Sequence, residues 1–213
     1  VVLAPSQVKK LLDLEYDIVV QRSSNRCFPD SAYEALNVPM VEDISDRDVL
    51  IGVKEVPKDN ILKGKTYFMF SHTIKEQPYN QELLRKIIAQ KASLVDYEML
   101  TNDRGARVIA FGKFAGMVGA HNALYTYGQR TGEFEIPRMN TIDDYNAARE
   151  VYKKTKFPAA KIVLTGTGRV SGGAALVLND MGIKRVSPIE FLRSSFDEPV
   201  YTQLSAFYYV KRK

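Results

Sequence analysis

A chain of 213 residues with 45% apolar and 26% charged side chains has the composition of a globular protein, built as one large domain or two small ones. Its net charge of +5 is not gathered into a Lys/Arg block, which argues against a nucleic-acid arm, and no apolar run approaches the roughly 20 residues of a bilayer span. One cysteine, Cys27, excludes an internal disulfide and a cysteine metal cluster, and two histidines, His72 and His121, leave little to build a histidine metal site.

These features and the lack of a signal peptide fit a reducing, cytoplasmic setting. The chain opens on Val1-Val2-Leu3 without a starting Met and closes on Lys211-Arg212-Lys213, as a piece of a longer protein would.

Ser6 starts a helix with Val8, Leu11 and Leu12 on one face, and residues 17–20 read as a strand. Residues 23–30 are a loop by their Ser, Asn and Pro content, and 31–36 a short helix. Three apolar runs follow, at 48–53, 67–70 and 92–95. They do not alternate, so they are expected to be strands of a parallel sheet buried on both faces. Residues 80–91 form an amphipathic helix between the last two, with Leu83, Leu84, Ile87 and Ile88 on one side. Strand, helix, strand in this order implies βαβ units and an α/β fold.

Residues 112–128 mix Gly116, Gly119 and several alanines with larger apolar residues, as in a helix packed closely against a neighbour. A loop containing Pro137 follows, then a capping-box-like start at 141–144 for a helix through Lys154. At 161–174 an apolar run breaks into Gly166-Thr167-Gly168 and then into a helix. Strand, glycine turn and helix are the parts of a dinucleotide phosphate pocket, although Ser171 stands where a third glycine is usual. A short strand at 184–186 leads to Ser187-Pro188, an N-cap and first helical residue, and 200–210 is expected to be another strand.

Ligands of an open parallel sheet bind beyond the carboxyl ends of its strands. The three apolar runs end at Lys54-Glu55, at Ser71-His72 with Lys75 nearby, and at Asp96-Tyr97-Glu98. One polar residue after a strand is ordinarily a solvated one; three titratable endings on one edge point to chemistry. Lysine and histidine suit proton transfer at a carbonyl or imine. Arg107 is either a surface strand residue or a bidentate clamp for a carboxylate. His121, inside the small-residue helix, reads as a packed or capping histidine.

The blocks Gly52-Val53-Lys54-Glu55-Val56-Pro57, Ser71-His72-Thr73-Ile74-Lys75, Leu94-Val95-Asp96-Tyr97-Glu98, Arg107-Val108-Ile109-Ala110-Phe111-Gly112 and Thr165-Gly166-Thr167-Gly168, in this order, closely resemble the lysine-forming saccharopine dehydrogenase and lysine–2-oxoglutarate reductase family. That family lies within the alanine dehydrogenase and transhydrogenase N-terminal superfamily. The resemblance implies two Rossmann-like parallel-sheet domains with a cleft between them. Residues 1–125 would be the substrate-binding and catalytic domain, 126–157 a connecting segment, and 158–213 a partial NAD(P)-binding domain.

It further implies reductive condensation of L-lysine with 2-oxoglutarate, and its reverse. Lys54 and His72 match the catalytic pair, Lys75 and Arg107 the groups that hold substrate carboxylates, and Gly166, Gly168, Arg169, Val170 and Ser171 the cofactor phosphate turn. The family's N-terminal strand, with arginines that touch substrate, has no counterpart in this chain, and the cofactor domain is cut short. About 20 residues beyond the glycines, where an acid would read the ribose hydroxyls of NAD, stand Arg185 and Ser187, which slightly favours NADP over NAD. Glu190 is the rival acid, but its place in a first helical turn suits capping. The partners expected are small amino acid and 2-oxo acid substrates, without metal, nucleic acid or membrane; the oligomeric state is not legible. Two alternatives stand beside this reading: an alanine dehydrogenase-like enzyme making a primary amine, and a non-catalytic regulatory relative, against which the presence of both Lys54 and His72 argues.

Overall fold

In a computed structural model that describes residues 1–210, every pair of neighbouring strands runs parallel. Contacts divide the chain into Val1–Ile109 and a second unit beginning at Ala110.

The first unit opens with helix α1 (Pro5–Asp13), strand β1 (Val20–Gln21), helix α2 (Asp30–Glu34) and strand β2 (Met40–Val41). The strand expected at 17–20 is reduced to its last residue and Gln21, the only part with a partner: Val20 pairs with Met40 and Gln21 with Val41. Val8, Tyr33 and Val38 form a small core here, and the Tyr33 hydroxyl donates to the Leu3 carbonyl at 2.9 Å.

A second sheet follows, ordered β3 (Val49–Ile51), β4 (Thr66–Met69), β5 (Ser93–Asp96). Its register aligns Leu50, Tyr67 and Leu94. Helix α3 (Gln81–Ala89) is the crossover from β4 to β5. Tyr67, Met69, Leu83, Ile87 and Ile61 make the core. The buried Tyr67 keeps its hydroxyl satisfied, accepting from the Leu62 amide at 2.8 Å.

Burial on both faces does not hold for the first strand. β3 is an edge strand, and Val49 and Ile51 are 51% and 49% exposed while Leu50 packs inward. Likewise only Leu83 and Ile87 of α3 are buried; Leu84 and Ile88, each turned about 100° further round the helix, lie outward.

The second unit contains α4 (Gly112–Thr131), α5 (Tyr145–Lys154), β6 (Lys161–Thr165), α6 (Arg169–Asp180), β7 (Lys184–Arg185), α7 (Pro188–Arg193) and β8 (Val200–Leu204). α4 stops at Gly132, whose φ of 71° is left-handed. α5 is capped by Asp144, which accepts from the Ala147 amide at 2.8 Å; Thr141 falls outside the helix, in a 3-10 turn. β8 ends at Leu204 and gives way to a 3-10 turn at Ala206–Tyr208, so the strand expected to reach 210 is about half that length.

The sequence reading gives residues through 125 to the first domain and 126–157 to a connector. Contacts instead move α4 wholly into the second unit, because it packs backbone to backbone on α6. A side chain at Gly116 would run into the Val170 carbonyl, and one at Gly173 into the Lys113 carbonyl. Met117, Leu124, Val177, Leu178, Ile183 and Tyr201 fill the core around this crossing.

The sheet order is β6-β8-β7. Right-handed crossovers in opposite directions then require α6 and α7 on opposite faces. Adjacent residues of β8 agree: Tyr201 joins the α6 core, and Val200 joins Phe191 and Val186.

Candidate active site

Parallel pairing brings the carboxyl ends of β3, β4 and β5 to one edge, where Glu55, His72 and Glu98 follow. The end of β4 is tied to that of β5 through Ser71, which is fully buried and donates to the Asp96 carboxylate. Asp96 in turn accepts the Glu98 amide at 2.8 Å. Directly after Ser71, His72 adopts a left-handed backbone at φ 57°, a conformation that costs a non-glycine residue about 1–2 kcal/mol and turns the chain into the 3-10 segment Thr73–Lys75. The Phe70 ring lies at 6.4 Å from the His72 ring and 27° from parallel, and Tyr97 meets Phe70 edge-on at 5.1 Å.

Glu98 is the hub of the cluster. Its side chain is only 8% exposed, yet three basic groups reach it: His72 Nδ1 at 3.0 Å, Lys75 Nζ at 3.4 Å and Arg107 Nη2 at 2.9 Å. Arg107 is delivered by a bridge to Thr101 around a turn in which Asn102 Oδ1 accepts the Ala106 amide at 3.0 Å. Burial alone would push the Glu98 carboxyl up; hydrogen bonds from His72 and Lys75 more than offset it, and the group sits below the usual glutamate range.

An ionised carboxylate only accepts, so the His72 nitrogen facing Glu98 carries the hydrogen. Lys75 Nζ, 3.1 Å from the same nitrogen, then directs its ammonium to Glu98 Oε1. The other ring nitrogen, Nε2, lies 3.8 Å from Glu55 Oε1. A ring with one nitrogen anchored to a carboxylate and the other able to take a proton is set up for general acid–base chemistry.

Three of the four residues expected in this part of the site, His72, Lys75 and Arg107, are thus joined through Glu98. Lys54 lies at the same sheet edge but is exposed, with no hydrogen-bond or ion-pair partner among the described residues. Glu98 and Glu55 are visible in the sequence as strand-end acids, without a role assigned. The signal for one was the gathering of Lys54, His72 and Lys75 with Glu55, Asp96 and Glu98 at the strand ends of one parallel sheet. His121 is a packed histidine, fully buried between the Tyr152 hydroxyl at 2.6 Å and the Pro137 carbonyl at 2.8 Å.

The glycine turn belongs to the second unit. Gly166 takes φ 88°, and its amide donates to the Leu204 carbonyl at 2.7 Å. Gly168 is the N-cap of α6, without a side-chain cap, and open space surrounds its Cβ position. An uncapped N-terminus on a 12-residue helix, approached over glycine, fits a phosphate group. Arg169 and Val170 form its first turn, and Val170 is exposed. Ser171 is buried at 6% and turns its hydroxyl inward to the Gly168 carbonyl at 3.0 Å, so it braces the turn.

Ser187, the other residue expected at the cofactor, follows β7. β8 lies between β6 and β7, and Arg185 at the end of β7 is level with Tyr201 and Ile162. The Ser187 hydroxyl also caps α7, accepting from the Glu190 amide at 3.2 Å. Arg185 ends β7, whose partner in the sheet is β8.

Residues 1–118 match the family described as alanine dehydrogenase/PNT, N-terminal domain. The alpha-aminoadipic semialdehyde synthase, mitochondrial, of Bos taurus is 33% identical over 233 residues, covering 99% of this chain and 25% of that protein. The saccharopine dehydrogenase (NAD(+), L-lysine-forming) of Schizosaccharomyces pombe is 33% identical over 198 residues, covering 85% of this chain and 54% of that one. This chain therefore spans about a quarter of the first relative and about half of the second.

Among solved structures, an L-alanine dehydrogenase superposes with a TM-score of 0.55 at 16% identity, covering 97% of this chain and 57% of its own. A transhydrogenase from Sinorhizobium meliloti gives 0.58 at 20%, covering 87% and 54%. At these identities the likeness is one of fold.

Proposed function

The chain belongs to the alanine dehydrogenase/PNT N-terminal domain family, and from that premise we propose that it is part of a nicotinamide-dependent oxidoreductase that condenses L-lysine with 2-oxoglutarate and runs the reverse reaction. The observation that carries this reading is the convergence of His72, Lys75 and Arg107 on the nearly buried Glu98 at the carboxyl edge of a parallel sheet.

In this reading His72 Nε2 takes and returns the proton of the secondary amine while Glu98 fixes the ring through Nδ1. Lys54, exposed at the same edge, serves the carbinolamine and imine stages as a second proton carrier. Lys75 and Arg107 hold substrate carboxylates, for which a guanidinium already oriented by Glu98 is well placed. A bound NAD(P)H would supply the hydride. Gly166, Gly168, Arg169 and Val170 would hold its phosphates, with Ser171 bracing the turn.

Likeness to relatives titled saccharopine dehydrogenase and aminoadipic semialdehyde synthase supports the lysine reading. The family match supports a second, an alanine dehydrogenase-like enzyme that makes a primary amine. A panel of amine donors and 2-oxo acids, run with NADH and NADPH side by side, separates them. Cofactor oxidation that requires both lysine and 2-oxoglutarate is expected. Turnover of pyruvate with ammonia alone replaces the first reading with the second, and no turnover with any pair removes both.

A further inference from the structure

Because β8 runs beside β6, the side chain that reaches the glycine turn from the sheet belongs to β8. Gln203, aligned with Leu164 in the register, donates through Nε2 to the Gly166 carbonyl at 2.9 Å. The same nitrogen lies 3.4 Å from Ser171 Oγ, whose own hydrogen goes to the Gly168 carbonyl. The amide of Gly166 is held on its other side by the Leu204 carbonyl. One half-buried amide side chain therefore links the turn to the first turn of α6.

The peptide between Gly166 and Thr167 is trans, as are all the others among the described residues. In a trans peptide the carbonyl and the N–H point in opposite directions. Drawing the Gly166 carbonyl toward Gln203 of β8 therefore points the Thr167 N–H away from β8. That N–H has no hydrogen-bond partner among the described residues. An unpaired amide next to an uncapped helix N-terminus is a donor for an anion.

We propose that Gln203 is the positioning residue of this turn, holding the Gly166–Thr167 peptide in the orientation that offers the Thr167 amide to a dinucleotide pyrophosphate. The proposal rests on the reading of the turn as a dinucleotide site. It touches no reacting atom and acts through the backbone it holds.

Two measurements on the intact protein test it. Hydrogen exchange reads the turn without any ligand: Gln203→Leu should speed exchange of the Gly166 amide by about ten-fold or more, with the amides of the β6 interior unchanged. Titration with NADH and NADPH should show about ten-fold weaker binding of both in Gln203→Leu, the loss of one well-placed hydrogen bond. Gln203→Glu can donate only when protonated, so its affinity should recover toward that of the parent protein as pH falls from 7.5 to 5. This variant also decides the matter should Gln203→Leu fail to fold. Unchanged exchange, unchanged affinity, or a flat pH response in Gln203→Glu each overturns the proposal. A parent protein that binds neither dinucleotide overturns the dinucleotide reading and the purpose assigned to Gln203, while the exchange result still shows whether Gln203 holds the turn.

Discussion

His72 and Glu98 meet at 3.0 Å, Nδ1 to Oε2, across the ends of two strands that are neighbours in one sheet. The contact fixes which imidazole nitrogen carries hydrogen, and so which one can exchange a proton with a substrate. His72→Gln keeps a hydrogen-bonding side chain but cannot carry a proton. It is expected to lower kcat by about 10²–10⁴-fold, as loss of a general acid–base group does. Lys54→Met should act on the same scale. Steady-state kinetics with lysine and 2-oxoglutarate check both, and normal kcat in either variant takes that residue out of the mechanism.

Glu98 makes a separate, thermodynamic prediction. Its carboxyl is held below the usual glutamate range despite its burial, by hydrogen bonds from His72 and Lys75. The unfolded chain therefore binds a proton at Glu98 before the folded one does. The stability this group contributes is complete above its unfolded value of about 4.3, and is lost as pH falls through its folded value. Chemical denaturation at pH 6 and at successive steps below 4.5 should show this loss in the parent protein. Glu98→Gln should begin less stable, with three basic groups deprived of their anion, and should have a shallower acid slope. An equally steep slope in the variant assigns the acid sensitivity to other carboxylates.

The buried His121 has the same sign at a higher pH. Desolvation drives its pKa down, and the bond to the Pro137 carbonyl only partly restores it. A carbonyl accepts only, so Nε2 carries the hydrogen and Nδ1 accepts from Tyr152. The Tyr152 phenol is itself pushed up to about 12 by burial and the nearby Asp180 charge, so it remains a donor throughout. Here the unfolded state takes up its proton first, near pH 6.5, while the folded state resists. Stability is full above that value and declines as pH falls below it. The melting temperature should drop between pH 7.5 and 5.5 in the parent protein. His121→Gln should melt lower at pH 7.5 and lose part of that drop; an unchanged drop in the variant overturns the assignment.

Much of the first unit was legible because its signals are local. Uninterrupted apolar runs marked β3, β4 and β5, and parallel pairing followed from the helix between the last two. Parallel strands end on the same edge, so Glu55, His72 and Glu98 could be grouped from the sequence. The grip of His72, Lys75 and Arg107 on Glu98 could not. It depends on the left-handed turn at His72 and on the Thr101–Arg107 bridge, which no periodicity encodes. The order β6-β8-β7 was illegible for a related reason. Which strand lies beside β6 rests on long-range packing of Val200 and Tyr201 on opposite faces, and that order brings Gln203 to the glycine turn.

The small-residue helix gives a paired prediction, because its glycines are not equivalent. At Gly116 a Cβ would collide with the Val170 carbonyl, a backbone atom that can move only if α6 moves. At Gly119 a Cβ meets nothing within 4 Å, and the residue is exposed. Gly119→Ala should therefore stabilise the protein by up to about 1 kcal/mol, the helix-propensity difference between the two residues. Gly116→Ala gains the same propensity but overpacks the α4–α6 crossing, and should destabilise by about 1–3 kcal/mol net. Since α6 begins at the glycine turn, displacing it should also weaken dinucleotide binding in Gly116→Ala and leave binding by Gly119→Ala unchanged. Denaturant titrations and cofactor titrations on the two variants measure both effects. Equal stability changes of the same sign would mean that the close approach at Gly116 does not constrain the helices.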